Sequence, residues 1–214
     1  MILSDRSIIY GVTQGTIEIS NFNERFLGPN SYDVTLKDDI RVYDPDDQRN
    51  WTIMDIDVRT GQKNHKVFCL DTTQRTNLRK LPKDTKNGTK GYFLYPGVLY
   101  LGATNEVVGS NTFVQELHGR SSMARLGITV HSAGYGDVGF KGTWTLELSV
   151  IHPVFIVPNM RIAQIQFSKL DQSPLHLYSE KDTGAKYNNQ DDPRGYIPDA
   201  EIMGKEDKRI GRDS

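Results

Sequence analysis

The sequence predicts a mainly β protein, a sandwich or barrel that carries only short helices. Two observations predict it. Polar and apolar residues alternate over short runs such as Ser31-Tyr32-Asp33-Val34-Thr35-Leu36, the period of a strand with one face buried. Turn formers punctuate these runs at Pro96-Gly97, across residues 134–142 and at Pro158-Asn159. Many short strands divided by regular turns are the pattern of sandwiches and barrels.

In chain order, helix is expected at residues 5–10 and strand at 31–36. Residues 44–90 are polar and charged, with Asp44-Pro45-Asp46-Asp47 near one end and Lys83-Asp84-Thr85-Lys86-Asn87-Gly88 near the other. They read as an insertion, an elaborated loop or extra hairpin between core strands. Strands follow at 92–94 and 98–103, a short helix at 121–125, and further strands at 126–131, 143–150, 154–157 and 163–167. The tail from about residue 179 lacks apolar periodicity and is expected to be flexible, or ordered by a ligand or a neighbouring subunit. A length of 214 residues suits a single domain over 1–214 with that insertion and tail.

Composition narrows the function. Hydrophobic residues make up 36%, enough for a core but not a generous one, which favours burial by self-association. The formal net charge is -1, so no cationic excess is present to hold a nucleic-acid polymer. Charges at Asp5 and Arg6 fall where a signal peptide needs an apolar run. No apolar run approaches the roughly 20 residues that span a bilayer. A soluble, cytoplasmic protein is the expectation. Cys69 is the only cysteine, which excludes an internal disulfide and a cysteine-rich zinc site. It also excludes the zinc-type nucleobase deaminase signature, which needs a Cys-x-x-Cys pair. The five histidines form no His-x-x-x-His pair, so no transition-metal site is expected.

Three segments carry the chemistry. In Gly119-Arg120-Ser121-Ser122-Met123-Ala124-Arg125 two hydroxyls open a tight turn between two guanidiniums, a setting that can hold phosphate. Its plainer reading is a short helix capped by Ser121 or Ser122. Residues 134–142 hold four glycines and Asp137, so backbone can approach a flat ligand while Asp137 accepts from a sugar hydroxyl. Its plainer reading is a glycine-rich turn. In Trp144-Thr145-Leu146-Glu147-Leu148, alternation puts Thr145 and Glu147 on the face opposite Leu146 and Leu148. Glu147 is then either a cleft carboxylate tuned for proton transfer or a solvent-facing strand residue. The tail adds Tyr178, Lys186 and Gln190, able to close over a phosphate chain or to remain solvated.

These segments, in this order, resemble the dCTP deaminases of the trimeric dUTPase superfamily. The resemblance covers nearly the whole chain outside the insertion and the last residues. It rests on Met1-Ile2-Leu3-Ser4-Asp5-Arg6, on Asn30-Ser31-Tyr32-Asp33-Val34 and on Tyr95-Pro96-Gly97 through Leu101-Gly102. Gly-Arg-Ser-Ser-x-x-Arg-Leu-Gly, Asp-x-Gly-Phe-x-Gly, Thr-Leu-Glu-Leu and Ala-Lys-Tyr-x-Asn-Gln complete it. It implies a dUTPase-like distorted β-barrel or jelly-roll, a homotrimer with sites between subunits, and Mg²⁺ carried by the triphosphate with no protein metal ligand and no zinc. By position, Arg120, Ser121, Ser122, Met123, Ala124 and Arg125 would hold the triphosphate of dCTP. Asp137 would contact the deoxyribose, and Thr145 and Leu146 would offer backbone to the base beside Glu147. Gln164, Tyr178, Lys186 and Gln190 would complete the substrate contacts. Glu147 would be the general acid/base, Ser121 and the Ala133 backbone would orient the water, and Arg125 would hold the polar groups around Glu147.

The sequence departs from the family where the base should sit. His131-Ser132-Ala133 is one residue shorter than the usual His-Val-Thr-Ala, Gly136 replaces an isoleucine and Val138 a proline. Three functions follow from the resemblance: deamination of dCTP to dUTP and ammonia, including a bifunctional version that continues to dUMP and diphosphate; a dUTP diphosphatase without deaminase activity; or a non-catalytic nucleotide sensor. Gly134-Tyr135 leans toward the bifunctional version, and the resemblance adds dTTP as an inhibitor.

Overall fold

In the computed structural model, residues 1–47, 51–56, 63–70, 75–131, 134–180 and 184–198 are described. Helix α1 (Asp5–Thr13) starts where the Ser4 hydroxyl accepts from Ser7 N–H, and ends at Gln14. It runs three residues past the expected helix. The strands are β1 (Glu18–Ile19), β2 (Leu27–Gly28), β3 (Ser31–Thr35), β4 (Arg41–Tyr43), β5 (Trp51–Ile56), β6 (Lys63–Phe68), β7 (Leu78–Lys80) and β8 (Asp84–Lys86). They continue with β9 (Thr89–Leu94), β10 (Tyr100–Gly109) and β11 (Phe113–Gly119). After helix α2 (Ser121–Arg125) come β12 (Ile128–Val130), β13 (Tyr135–Gly136), β14 (Lys141–Val150), β15 (Val154–Ile156) and β16 (Arg161–Lys169). The chain is mainly β with few helices, as alternation predicts.

One sheet has the order β12-β14-β10-β4-β7, with β1 added on β10; a second has the order β13-β11-β16-β3-β2. A single core cluster draws Tyr32, Val34, Ile165 and Phe167 from the second sheet and Leu146 and Leu148 from the first, all fully buried. Burial alternates along β14 because its other face carries the polar residues. The β10–β14 pairing shifts register between Ala103 and Val107, and an isolated bridge joins Thr104 to Leu36 just past β3. There the buried Glu106 carboxylate accepts from Thr35 N–H at 2.8 Å and from its hydroxyl at 2.7 Å.

Within residues 44–90, β5 and β6 pair antiparallel as a hairpin. The later part returns to the body of the protein, because β7 pairs with β4 and β8 with β9. The tail is described over residues 184–198, where it lies along β14. Thr143 N–H donates to Gln190 O at 2.9 Å, Asn189 N–H donates to Lys141 O at 2.7 Å, and Lys141 N–H donates to Asn188 Oδ1 at 3.0 Å.

Candidate active site

Register decides which side chains share the outer face of the first sheet. Leu101 pairs with Glu147 on one side and with Arg41 on the other. Glu147, Leu101 and Arg41 therefore share a face, joined by Thr145 and Tyr43 two residues along their strands. Leu146 and Leu148 point the opposite way, into the core.

The tail covers this outer face as a strap. Gln190 is the central tie: its Nε2 donates to Thr143 O at 2.7 Å and to Thr145 Oγ1 at 3.3 Å. Two residues on, Asp192 meets the Arg41 guanidinium at 2.9 Å, and Arg41 also donates to Pro193 O at 3.3 Å. Arg41 is already held by Asp39 at 2.6 Å. Lys37 Nζ donates to Asp191 O. Further along, the Tyr178 hydroxyl accepts from the N–H groups of Lys186 and Tyr187, both at 3.2 Å, and Lys186 Nζ donates to Ile197 O at 3.2 Å.

Between sheet and strap lies a cavity of about 380 Å³. Asp137, Thr145, Glu147, Tyr178 and Gln190 line it, five of the residues expected to bind substrate. Tyr43, Trp144, Tyr187, Arg194 and Tyr196 line it too and are not among the expected binding residues, though Tyr187 stands in the Ala-Lys-Tyr-x-Asn-Gln motif. Tyr43 had no motif to mark it; β4 is three residues long, and only its pairing to β10 and β7 brings it here. Trp144 stands in the sequence only as one residue of an alternating strand. Arg194 and Tyr196 lie in a polar tail without periodicity.

The open edge of β14 explains how a base could be read. His131 N–H donates to Glu147 O and Thr143 N–H to Gln190 O, so odd-numbered residues turn their backbone groups to the edge away from β10. Thr145 N–H and C=O face that edge, and among the described residues neither has a backbone partner. Leu146 has its side chain in the core and its backbone turned toward β10, so of the two residues expected to offer backbone, Thr145 does so.

Burial pushes the Glu147 carboxyl above its ordinary value, opposed by its own backbone N–H and by the charge of His131. Burial likewise raises the Tyr43 phenol, with a backbone bond from Tyr196 opposing and the charge of Glu147 adding to the rise. A carboxyl raised in this way, beside backbone groups without a partner among the described residues, is suited to passing a proton.

The second group of expected residues lies elsewhere on the chain. Arg120 caps α2 with its backbone, and no side chain caps that helix, so Ser121 and Ser122 are not the N-caps of the plainer reading. Ser121, Ser122, Ala124 and Arg125 are exposed, while the Met123 side chain is buried in the core. Asp33 anchors Arg120 at 3.1 Å and Arg161 at 3.2 Å. Gln164 accepts from Ser31 Oγ at 3.1 Å and donates to Gly119 O at 3.4 Å. None of these lines the 380 Å³ cavity. Lys186 sits in the strap without lining it. Ala133 lies outside the described residues.

The family model for dCTP deaminase-like proteins matches residues 2–170. A Clostridium beijerinckii protein named "dCTP deaminase, dUMP-forming" is 36% identical over 190 residues, 88% of this chain and 91% of that protein. A Methanocaldococcus jannaschii protein of the same name is 39% identical over 198 residues, 89% of this chain and 92% of that one. Among solved structures, the 2'-deoxycytidine 5'-triphosphate deaminase of Agrobacterium tumefaciens superposes with a TM-score of 0.51 at 19% identity. The match covers 79% of this chain and 48% of that one, so this chain spans about half the length of that solved chain and shares its fold. With motifs, fold and relatives in agreement, the chain belongs to the dCTP deaminase-like family.

Proposed function

We propose that this protein converts dCTP to dUMP, by zinc-independent deamination at cytosine C4 followed by release of diphosphate from the dUTP formed. One observation carries the reading: half-buried Glu147 stands one strand repeat from the backbone N–H and C=O of Thr145, which have no backbone partner among the described residues. An adjacent donor and acceptor match the N3 acceptor and 4-amino donor of cytosine, and a ring held there turns C4 toward Glu147.

Water adds to C4, the C4–N bond breaks and ammonia leaves. Glu147 takes the water's proton and returns it to the base or the leaving amine, work worth roughly 10²–10⁴-fold in rate. Ser121, Arg125 and the Ala133 backbone orient the water and the polar groups. Arg120 to Arg125, with Gln164, Tyr178, Lys186 and Gln190, hold the nucleotide, and Asp137 takes the sugar. Mg²⁺ arrives on the triphosphate as part of the substrate. In the second step a water attacks the α-phosphorus and the bond to the β-phosphate breaks. The name "dUMP-forming" carried by the relatives supports this step.

Because α2 stands away from its own chain's cavity, the phosphate-binding groups come from a neighbouring copy, in a homotrimer with sites between subunits. dTTP competes for the same site, and the protein works in the cytoplasm. Incubation with dCTP and, separately, dUTP in the presence of Mg²⁺ tests the reading. Ammonia, dUMP and diphosphate are expected from dCTP. Accumulation of dUTP would remove the second step, and unaltered dCTP would overturn the proposal.

A further inference from the structure

Glu147 stands between the base-reading edge of β14 and a phenol. Leu101 faces Glu147 and Ala103 faces Thr145 across the β10–β14 pair, while Arg41 faces Leu101 across the β10–β4 pair. Both pairs are antiparallel, so Tyr43 lies past Glu147 on the side away from Thr145. A base read by the Thr145 backbone meets the carboxyl from one side, and the Tyr43 ring approaches it from the other. Tyr43, Leu99, Leu101 and Glu147 line the same cavity.

The carboxyl lacks a fixed partner. Glu147 receives its own backbone N–H, and among the described residues no side chain bonds it. A general acid/base that swings freely is seldom aligned with its proton, and fixing it raises the rate.

The phenol is the reverse case, a group whose oxygen is served and whose hydrogen is not. Tyr196 N–H, from the strap, donates to the Tyr43 oxygen. The buried Thr76 hydroxyl faces the same oxygen and finds no other partner. With its lone pairs taken, the phenol has a hydrogen left to donate. Two carboxylates line the cavity, Asp137 and Glu147, and it is the charge of Glu147 that acts on Tyr43. His131, the other charge acting on Glu147, has its ring on Ser149 Oγ at 3.1 Å.

Building on the deaminase reading, we propose that Tyr43 is a positioning residue for deamination: its hydroxyl donates to the Glu147 carboxyl, directly or through one water, and holds it toward C4 of the base. Tyr196 seats the phenol only when the strap is down, so the acid/base is aligned only in the closed cavity.

The test reads two rates on each sample, ammonia release from dCTP and diphosphate release from dUTP, both with Mg²⁺. The first needs Glu147; the second breaks a bond at the α-phosphorus. Tyr43→Phe should lower kcat for ammonia release about tenfold, with KM changed by no more than about twofold. Diphosphate release from dUTP should fall by no more than about twofold. An equal fall on both nucleotides overturns the proposal, since a phenol that served only to seat the strap would give that. So does an unchanged kcat for ammonia release. The ratio of two rates on one sample does not depend on the folded fraction, so a destabilised variant still answers. If Tyr43→Phe does not fold at all, Tyr196→Pro, outside the core, removes the N–H that seats the phenol. It should move the same ratio in the same direction, and an unmoved ratio overturns the proposal. If the unaltered protein leaves dUTP intact, its binding constant for dUTP takes the place of the second rate. If it releases no ammonia from dCTP, the deaminase reading itself fails. Ammonia release with a ratio that Tyr43→Phe leaves unmoved removes only the role of Tyr43.

Discussion

At the scale of single residues, Glu147 combines burial with a task that needs both of its protonation states. Glu147→Gln should lower ammonia release from dCTP by at least about 10²-fold while nucleotide binding, followed by calorimetry, stays near normal. Its stability effect has a definite sign. A carboxyl raised by burial favours folding below its unfolded value, and that contribution is lost as pH rises through the raised folded value. The melting temperature of Glu147→Gln should therefore gain on that of the unaltered protein as pH increases from 4 to 8. For the same reason, the acid limb of the kcat/KM profile should lie above the ordinary carboxylate range. Asp137, Thr145 and Glu147 were legible in the sequence because each sits in a short local pattern, a hairpin or an alternating strand. Tyr43 was not legible, because a three-residue strand has no periodicity and only cross-strand pairing carries it to the cavity.

Among the elements, the strap and β4 form a latch. Burial pushes the Asp39 carboxyl up, but bonds and charge from Arg41 and Lys80 more than offset this and hold it low. The Arg41 hydrogen bond chiefly lowers Asp192. Both pairs contribute above the unfolded carboxylate value and are lost as pH falls through the lowered folded values. Asp192→Asn should speed amide exchange in residues 184–198 and raise KM more than it lowers kcat, with the effect vanishing in strong acid. The hairpin makes a second prediction. At Gly136 an added Cβ would lie 2.6 Å from the Trp144 ring, so Gly136→Ala should cost about 1–3 kcal/mol in denaturant unfolding. This pairing of an absent side chain with a large one was not readable, since its two members stand eight positions apart. Element ends were readable where a special residue marks them. Gly127, at φ +74°, ends the turn of α2, so β12 begins at Ile128 rather than at the expected 126. The strap was not readable because its ties run through backbone carbonyls and single polar side chains, which leave no repeat.

For the whole molecule, the mainly β class followed directly from alternation and turns, whereas the division of the site into two separated groups appears only in three dimensions. Glu147 and Thr145 lie under the strap; Arg120, Ser121 and Gln164 lie at the Asp33 corner. If copies share sites, two defects on different groups should complement. Glu147→Gln and Ser121→Ala should each be nearly inactive alone, and co-expressed mixtures should recover a fraction of the unaltered rate, read as ammonia release. No recovery in mixed oligomers verified by native mass spectrometry would place the site within one chain. The strap has one more consequence, for solubility. Without it Lys141 and Thr143 of β14 would lose their backbone partners in the strap and lengthen the open edge already present at Thr145, and such edges template the addition of further strands from other molecules. A chain cut short at residue 179 should therefore clump as it warms even where its core still folds, so the segment that shuts the cavity also guards the protein against its own sheet.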